Sequence, residues 1–194
     1  VYDYLREAVY FQANKKYRYS NVEEVAKDVY FNDEYMSLYM HGVLLSQFFW
    51  QNHIQLFRFF RKTIPKHKKG HYLEIGPGHG YFIMTAAEQT SFDAFTGIDL
   101  SATSIRQTQA LLERKAHLKR WHLQCIDFMK YPIEPAKFDA IVMGEMLEHV
   151  ENPKDYLNKI VSLADDDAYI FITTCVNAPA IDHIYLFKKV DEIQ

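Results

Sequence analysis

The stretch Tyr72–Phe82, YLEIGPGHGYF, constrains the fold more than any other part of the sequence. A short apolar run breaks into three glycines and a proline within five residues and then becomes apolar again, in a chain of 194 residues with only 7 glycines. Glycine permits positive φ angles and lets a ligand approach the main chain closely. The stretch therefore predicts a strand, a tight turn and a helix whose free N–H groups can face an anionic group.

From about residue 66 the chain alternates short β-rich runs with helical stretches. Strands are predicted over 71–75, 93–100, 121–128, 138–145 and 168–174, with helices over 81–89, 101–117 and 152–164. Near-continuous apolar strands separated by helices are typical of a parallel sheet covered on both faces. We therefore predict an α/β fold with a doubly wound, mostly parallel sheet. Ser101 and Asn152, the latter followed by Pro153, are the predicted helix N-caps.

Residues 22–62 have helical periodicity, but 38–60, LYMHGVLLSQFFWQNHIQLFRFF, are apolar or aromatic nearly all round. A helix of that kind must be covered on more than one side. We predict that residues 1–65 form a helical N-terminal segment, followed by an α/β domain over 66–194. The rings interpreted as core, or as the face of a possible homodimer, are Phe48, Phe49, Trp50, Phe57, Phe59 and Phe60.

Charge and composition narrow the function classes. Lys and Arg number 22 against 25 Asp and Glu, a net charge of −3, so a nucleic-acid partner is not expected, and the basic run RKTIPKHKKG is interpreted as a solvated linker. The sequence contains no apolar run of about 18 residues and no N-terminal leader, so no membrane partner is expected. Cys125 and Cys175 are interpreted as reduced, buried thiols, which fits a cytoplasmic location.

Acidic residues mark the ends of the predicted strands. Glu74 lies in the first strand, Asp99 ends the second, and Asp127 and Phe128 follow the third. Ligands of a doubly wound sheet bind at these ends, and Asp99 occupies the usual position of a carboxylate that holds ribose hydroxyls. Two other interpretations stay open: a tight turn without a ligand, and Asp99 as a helix N-terminal charge. The spacing is G-x-G-x-G, which disfavours a nicotinamide dehydrogenase.

The ordered motifs YLEIGPGHG, GIDLS, IDF and FDAIVMGEMLEHVENP resemble those of class I S-adenosylmethionine-dependent methyltransferases, especially the small-molecule branch with LEHV at the fourth strand. The resemblance covers residues 70–174 and implies a Rossmann-like fold with S-adenosyl-L-methionine as cofactor and S-adenosyl-L-homocysteine as product. It assigns cofactor contacts to Glu74, Gly76, Pro77, Gly78 and Gly80 (methionine part), Asp99 (ribose), Leu100, Asp127 and Phe128 (adenine), and Gly144, Glu145 and Met146 (floor near the sulfonium).

The family's sheet ends in an antiparallel hairpin, and too few residues follow Phe187 to form one. The last residues, HIYLFKKVDEIQ, resemble the entrance to a further helix. We therefore expect a chain that is truncated at its C-terminus and lacks one wall of the family's pocket.

Methyl transfer from a sulfonium is a displacement in which the protein aligns the nucleophile and excludes water. A general base is needed only for a protonated acceptor, and the candidates are His149 and His183, with Tyr185 in the same loop. The alternatives are that His149 binds cofactor and starts a helix, and that His183 is a satisfied loop histidine. Asn177 and Asp182 are predicted substrate contacts.

The resemblance also implies that the helical N-terminal segment, residues 1–65, is a lid over the cofactor and a substrate segment that shapes the acceptor pocket. Tyr39 and His41 are the predicted lid contacts to the acceptor, since aromatic walls exclude water and attract a sulfonium. A metal site built from Glu145, Glu148, His149 and His183 would match no zinc or iron spacing, so no metal is predicted.

The leading functional prediction is methyl transfer to the O, N or C atom of a small molecule, plausibly in a biosynthetic pathway. Two alternatives remain. One is a macromolecule methyltransferase acting on RNA or protein, which would need a basic or extended groove. The other is a binding protein that keeps the fold without the reaction.

Overall fold

The computed structural model describes residues 2–115, 120–133 and 137–193. Its N-terminal part is helical, as predicted, and no helix of the described part is long and apolar enough to cross a membrane. The helices are α1 (Tyr2–Asn14), α2 (Val22–Val25), which continues as a π-helical turn over Ala26–Tyr30, α3 (Asp33–Phe49) and α4 (Gln51–Thr63).

The rest of the described chain is an α/β sandwich. Its elements are β1 (His71–Ile75), α5 (Tyr81–Gln89), β2 (Ala94–Asp99), α6 (Ala102–Lys115), β3 (Arg120–Cys125), β4 (Phe138–Gly144), α7 (Pro153–Leu163) and β5 (Ala164–Thr173). Single 3-10 turns lie at Phe128–Lys130, Leu147–His149 and Val190–Glu192. The predicted doubly wound fold is confirmed.

The sheet has the strand order β3-β2-β1-β4-β5 with every pairing parallel. The order reverses between β1 and β4, and this switch point is where open α/β sheets bind ligands. Ile75 pairs with Ile98 and with Met143, so the carboxyl ends of the central strands lie at one edge. As expected, the described residues after Thr173 include no antiparallel strand.

Apolar side chains cover both faces of the sheet. Tyr72 and Leu73, adjacent in β1, are both fully buried and belong to different core clusters, because alternate residues of a strand face opposite sides. Phe60 of α4 packs against Phe82 and Phe171, with ring centroids 4.8 and 5.2 Å away. Truncating such a ring to alanine costs about 3–5 kcal/mol, so α4 is an integral part of the core.

Several local predictions need correction. Strand β5 starts at Ala164 instead of residue 168, because Phe138 pairs with Ala164 and the next pair lies beyond a bulge. Ser101 is a confirmed N-cap, since its Oγ accepts from the N–H of Ser104 at 3.3 Å. Asn152 occupies the N-cap position, but its amide donates to Asp155 instead of accepting from the helix.

Within the described chain, only part of the aromatic surface of the N-terminal helices is covered. Phe57 and Phe60 are buried, but Phe49 is 82% exposed. The helical run is broken by the extended backbone of Trp50, so α3 and α4 direct part of their apolar surface to solvent; the other exposed rings are Phe48, Trp50 and Phe59. The homodimer and the domain boundary near residue 65 stay predictions.

Both cysteines are free thiols, as predicted. The prediction that both are buried is wrong. Cys125 is exposed, because it ends β3 at the edge of the sheet, and Cys175 is half-buried.

Candidate functional site

One cavity of about 1390 Å³ lies at the carboxyl edge of the sheet, under the N-terminal helices. All the predicted cofactor residues except Gly80 line it, and so do Tyr39, His149, Asp182 and His183. The ends of five strands, including the loop after β5, and the N-terminal helices therefore contribute to a single space, although these residues are distributed over most of the chain.

The glycine loop forms the first wall of this cavity. A Cβ at Gly78, where φ is 53°, would lie 3.1 Å from Met40 Sδ of the lid. Glycine is required at position 80 for a different reason: φ is 77°, and a Cβ would lie 3.0 Å from the Cα of Thr108 in α6. Gly80 thus serves helix packing and lies outside the cavity wall. His79 Nδ1 accepts from Tyr81 N at 3.0 Å, and burial lowers the pKa of His79 to about 4.

The acids of the cavity are held by short-range contacts. Glu74 Oε2 accepts from the Tyr72 hydroxyl at 2.6 Å, and burial raises the pKa of Glu74 to about 8. Asp99 accepts from Gly78 N at 3.1 Å and Ser101 N at 2.8 Å. Burial raises the pKa of Asp99 to about 6 against these hydrogen bonds. The ionised form of a buried carboxyl group with a raised pKa is stabilised by a ligand that brings hydrogen-bond donors or positive charge.

A lysine that sequence reasoning missed supports the turn after β3. Lys159 of α7 is 9% exposed, and its Nζ donates to Met129 O at 2.8 Å and Tyr131 O at 2.6 Å. The same Nζ lies 5.2 Å from the centre of the Phe128 ring. It fixes the turn that presents Asp127 and Phe128 to the cavity. A single lysine within an amphipathic helix carries no sequence signal for such a role.

At the end of β4 the backbone is strained. Glu145 has a φ of 49°, a left-handed conformation uncommon outside glycine, and its N–H donates to Thr173 O at 2.9 Å. Within the described chain its Oε1 is buried and has no hydrogen-bond partner. Burial, followed by the charge of Glu148, raises the pKa of Glu145 to about 7. Strain of this kind persists where surrounding structure enforces it, which is common at functional sites.

Glu148 ties this strand end to the loop after β5. It is 1% exposed, and its Oε2 accepts from Thr174 Oγ1 at 2.6 Å. Its backbone carbonyl accepts from the N–H groups of Ile184 and Tyr185 at 2.8 and 2.9 Å. The loop that carries Asp182 and His183 is thereby fixed against the cavity.

His149 lies at the centre of the cavity's polar cluster. Its Nδ1 lies 3.0 Å from Asp182 O, 3.3 Å from Asp182 Oδ2 and 3.2 Å from the Tyr30 hydroxyl. Asp182 Oδ1 accepts from the Tyr39 hydroxyl at 2.9 Å. Burial by itself would lower the pKa of His149, but the charges of Asp182 and Glu148 outweigh it and raise that pKa above 6.5.

His183 is buried beside His149, with ring centroids 4.8 Å apart. Its Nδ1 lies 2.6 Å from Ala178 O, and Tyr17 packs edge-on against the ring. Burial, followed by the neighbouring His149, lowers the pKa of His183 below 6.5. Different environments therefore move the pKa values of the two imidazoles in opposite directions, an arrangement typical of acid–base sites.

The structure places three other predicted residues outside the cavity. His41 is exposed, and its Nδ1 contacts Ser37 O in its own helix, because positions 39 and 41 face opposite sides of a helix. Asn177 is exposed and donates to Lys188 O. Tyr185 is 40% exposed and packs on Phe187. The substrate and catalytic roles predicted for these residues have no support from their positions.

Potential metal ligands also converge here. The ligand atoms of Glu148, Cys175 and His183, and those of His149, Asp182 and His183, each lie within 4.8 Å of one another. Both groups are cross-linked by the contacts above, and Cys175 Sγ lies 3.6 Å from Glu148 Oε1. These hydrogen bonds account for the convergence, so we assign no metal.

Comparisons with known proteins point to one family. The family model described as "Methyltransferase domain" matches residues 73–170. A ubiquinone biosynthesis O-methyltransferase of Glaesserella parasuis serovar 5 (strain SH0165) is 32% identical over 111 residues, covering 53% of this chain and 44% of that protein. N-methyltransferase 4 of Papaver somniferum is 29% identical over 122 residues, covering 62% and 33%.

Among solved structures, coclaurine N-methyltransferase bound to N-methylheliamine and SAH has the same fold. The TM-score is 0.53 at 18% identity, and the match covers 62% of this chain and 35% of that one. The chain spans less than half the length of the curated relatives it matches.

Proposed function

Because this chain belongs to the class I S-adenosylmethionine-dependent methyltransferases, we propose that it transfers a methyl group from S-adenosyl-L-methionine to a small-molecule acceptor. One observation carries the proposal: the glycine loop, Asp99, Asp127 and the His149–Asp182 pair line a single cavity. We further propose that this reaction belongs to a biosynthetic pathway in the cytoplasm, where the two unpaired cysteines would remain reduced.

The residues present fit the cofactor. Gly78 and Asp99 both line the cavity. Burial raises the pKa of Asp99 to about 6, and its carboxyl group retains lone pairs beyond its hydrogen bonds to backbone N–H groups, which are available to ribose hydroxyls. Phe128 would flank the adenine, and Glu145 Oε1, buried without a partner in the described chain, would face the positively charged part. The volume of about 1390 Å³ exceeds the roughly 300–1,000 Å³ of common ligand pockets, which leaves room for an acceptor.

When bound, S-adenosylmethionine supplies an electrophilic methyl group. The protein's part is to align the acceptor and take its proton. Because Nδ1 of His149 faces two oxygens of Asp182, the proton of the neutral ring belongs on Nδ1 and Nε2 keeps the lone pair that can accept a proton. An acceptor that arrives as a hydroxyl or a protonated amine would pass its proton to Nε2.

The acceptor end of the cavity, beside His149, carries the carboxyl groups of Glu148 and Asp182. Like charges repel, so this end disfavours an anionic acceptor and favours a neutral or cationic hydroxyl or amine compound. The names of the two relatives, an O-methyltransferase and an N-methyltransferase, agree with this range of acceptors.

Calorimetry with S-adenosylhomocysteine tests the cofactor site. Wild-type protein should bind it, and Asp99→Ala should weaken binding by about 1.5–3 kcal/mol through the loss of charge-assisted hydrogen bonds. Asp166→Ala is the matched control, because Asp166 is exposed and lies near the start of β5, away from the cavity. Absence of binding to the wild type at millimolar concentration would favour the non-catalytic alternative.

A mass-spectrometric screen tests the acceptor class. Metabolite extracts incubated with protein and cofactor should contain a compound that gains one methyl group. Methylation of RNA or protein with no change in the metabolites would instead support the macromolecule alternative.

A further inference from the structure

We propose that Tyr30 is a positioning residue for His149: the N-terminal helices supply its hydroxyl, and that of Tyr39, to complete the proton-accepting pair with Asp182. The inference rests on the proposed function, in which the His149–Asp182 pair takes the proton of the methyl acceptor. It concerns a residue from a different part of the chain, 119 positions from the imidazole that it contacts.

The geometry brings two lid hydroxyls to the His149–Asp182 pair. Tyr39 of α3 donates to Asp182 Oδ1 at 2.9 Å. The hydroxyl of Tyr30, the last residue of the π-helical turn, lies 3.2 Å from His149 Nδ1, and burial followed by the charge of Asp182 raises the pKa of Tyr30. The lid thus contacts the carboxyl group through Tyr39 and the imidazole through Tyr30.

The hydrogen-bond roles follow from the acceptors present. Nδ1 of His149 faces the backbone oxygen and Oδ2 of Asp182, so this nitrogen donates. A protonated Nδ1 accepts nothing, so the hydroxyl of Tyr30 cannot donate to it, and in the proposed arrangement that hydroxyl proton goes to Asp182. Without that hydroxyl, Asp182 would lose a donor and the ring would lose a neighbour that limits its rotation.

Within the described residues, the charged and titratable groups that act on His149 come from three parts of the chain. Glu148, at 3.9 Å from Nε2, and Glu145 lie at the end of β4. Asp182 and His183 come from the loop after β5, and Tyr30 comes from the lid. Tyr30→Phe removes one hydroxyl, keeps the aromatic ring, and leaves all four of the other groups in the chain.

The primary experiment needs no methyl acceptor. NMR of isotope-labelled histidine rings follows the pKa and tautomer of His149 across pH, with His149→Gln assigning its signal among the 9 histidines. The wild type should show the tautomer protonated at Nδ1. In Tyr30→Phe the pKa should rise by roughly half a pH unit or more, because Asp182 loses a competing donor and attracts the imidazolium more strongly. A second tautomer should also appear.

Tyr19→Phe is the matched control. Tyr19 belongs to the same N-terminal segment, but its hydroxyl donates to Asp28 at 2.9 Å and does not line the cavity. That variant should leave the His149 titration unchanged. Tyr39→Phe, which removes the other donor to Asp182, should raise the pKa in the same direction as Tyr30→Phe. An unchanged His149 pKa and tautomer in folded Tyr30→Phe would overturn the proposal.

The two proposals fail separately. Lack of S-adenosylhomocysteine binding to the wild type would defeat the proposed function while the NMR result stands. Normal binding with an unshifted His149 would defeat only the role of Tyr30. Once an acceptor is found, the acidic limb of kcat in Tyr30→Phe should move upward with the NMR pKa. Cofactor affinity should stay within about twofold of the wild type, because the hydrogen bonds that hold Asp99 come from Gly78 and Ser101.

Discussion

The two ends of the cavity are built in different ways. At the cofactor end, Gly78, Asp99 and Ser101 are joined through backbone N–H groups next to strand ends. At the acceptor end, side chains meet across long sequence distances, as Tyr39 and Asp182 do over 143 positions. The first end depends on local turns that any member of the fold can reproduce. The second depends on how the lid and the loop after β5 are placed on the sheet.

The largest expected effect is a loss of folding stability on changing the glycine loop at Gly80, the residue of that loop that packs against α6. Gly80→Val would place a branched side chain at a φ of 77° with its Cβ 3.0 Å from the Thr108 backbone. We expect a loss of about 3–5 kcal/mol in the free energy of unfolding, measured by urea denaturation.

Gly42→Ala is the control for that measurement. Gly42 lies within α3 and has nothing within 4 Å of an added Cβ, so the substitution should stabilise by about 0.5–1 kcal/mol. Equal stability of Gly80→Val and the wild type would contradict the packing reason given for Gly80.

The next effect is a pH dependence of stability from the cofactor end. The carboxyl group of Glu74 has its pKa raised from 4.5 to about 8, so its protonated form is favoured in the folded state. The resulting stabilisation is complete below pH 4.5 and is lost as pH rises toward 8. We expect Glu74→Gln to remove about 2–4 kcal/mol of this decline in unfolding free energy between those limits.

The measurement is urea denaturation of both proteins across the same pH range in the absence of ligand. Glu88→Gln on exposed α5 surface serves as the control and should keep the wild-type slope. Parallel pH profiles for Glu74→Gln and the wild type would show that the buried carboxyl group is already paired with a cation.

At the acceptor end, we expect the removal of a charged side chain, and not a change in the backbone, to have the main effect. Asp182→Asn removes the carboxylate 3.3 Å from His149 Nδ1, so the raised pKa of His149 should fall by about one pH unit, equivalent to about 1.4 kcal/mol. In the wild type this interaction stabilises the fold below pH 6.5 and is lost as pH rises through the raised pKa. Histidine NMR measures the shift, and Asp28→Asn, an exposed change, should leave it at the wild-type value.

The smallest expected effect is a loss of cofactor affinity on changing Lys159, a side chain that supports the cofactor end from α7. Lys159→Met leaves the carbonyls of Met129 and Tyr131 without their donor, which should loosen the turn that carries Phe128. We expect S-adenosylhomocysteine affinity to fall by about 3–10-fold in calorimetry. Lys154→Met, an exposed change on the same helix, is the control, and an equal affinity loss there would refute the positioning role.

The order of elements, the parallel sheet and the strand-end motifs were predictable from the sequence. Hydrophobic periodicity and glycine placement act over a few residues, and the strand order of a doubly wound sheet brings the ends of its strands together. The Ser101 N-cap and the cavity positions of Glu74, Asp99, Asp127 and Glu145 belong to this class, although their roles toward the cofactor remain predictions.

Only the tertiary structure decided which neighbours each of these residues has. It moved Gly80 from the ligand wall to a helix contact, placed His41, Asn177 and Tyr185 outside the cavity, and left aromatic rings of α3 and α4 exposed. It also brought Tyr30 to His149. The physical reason is that turns and periodicity are set by neighbours along the chain, whereas a side chain's hydrogen-bond partners depend on how whole elements pack, which no local pattern encodes.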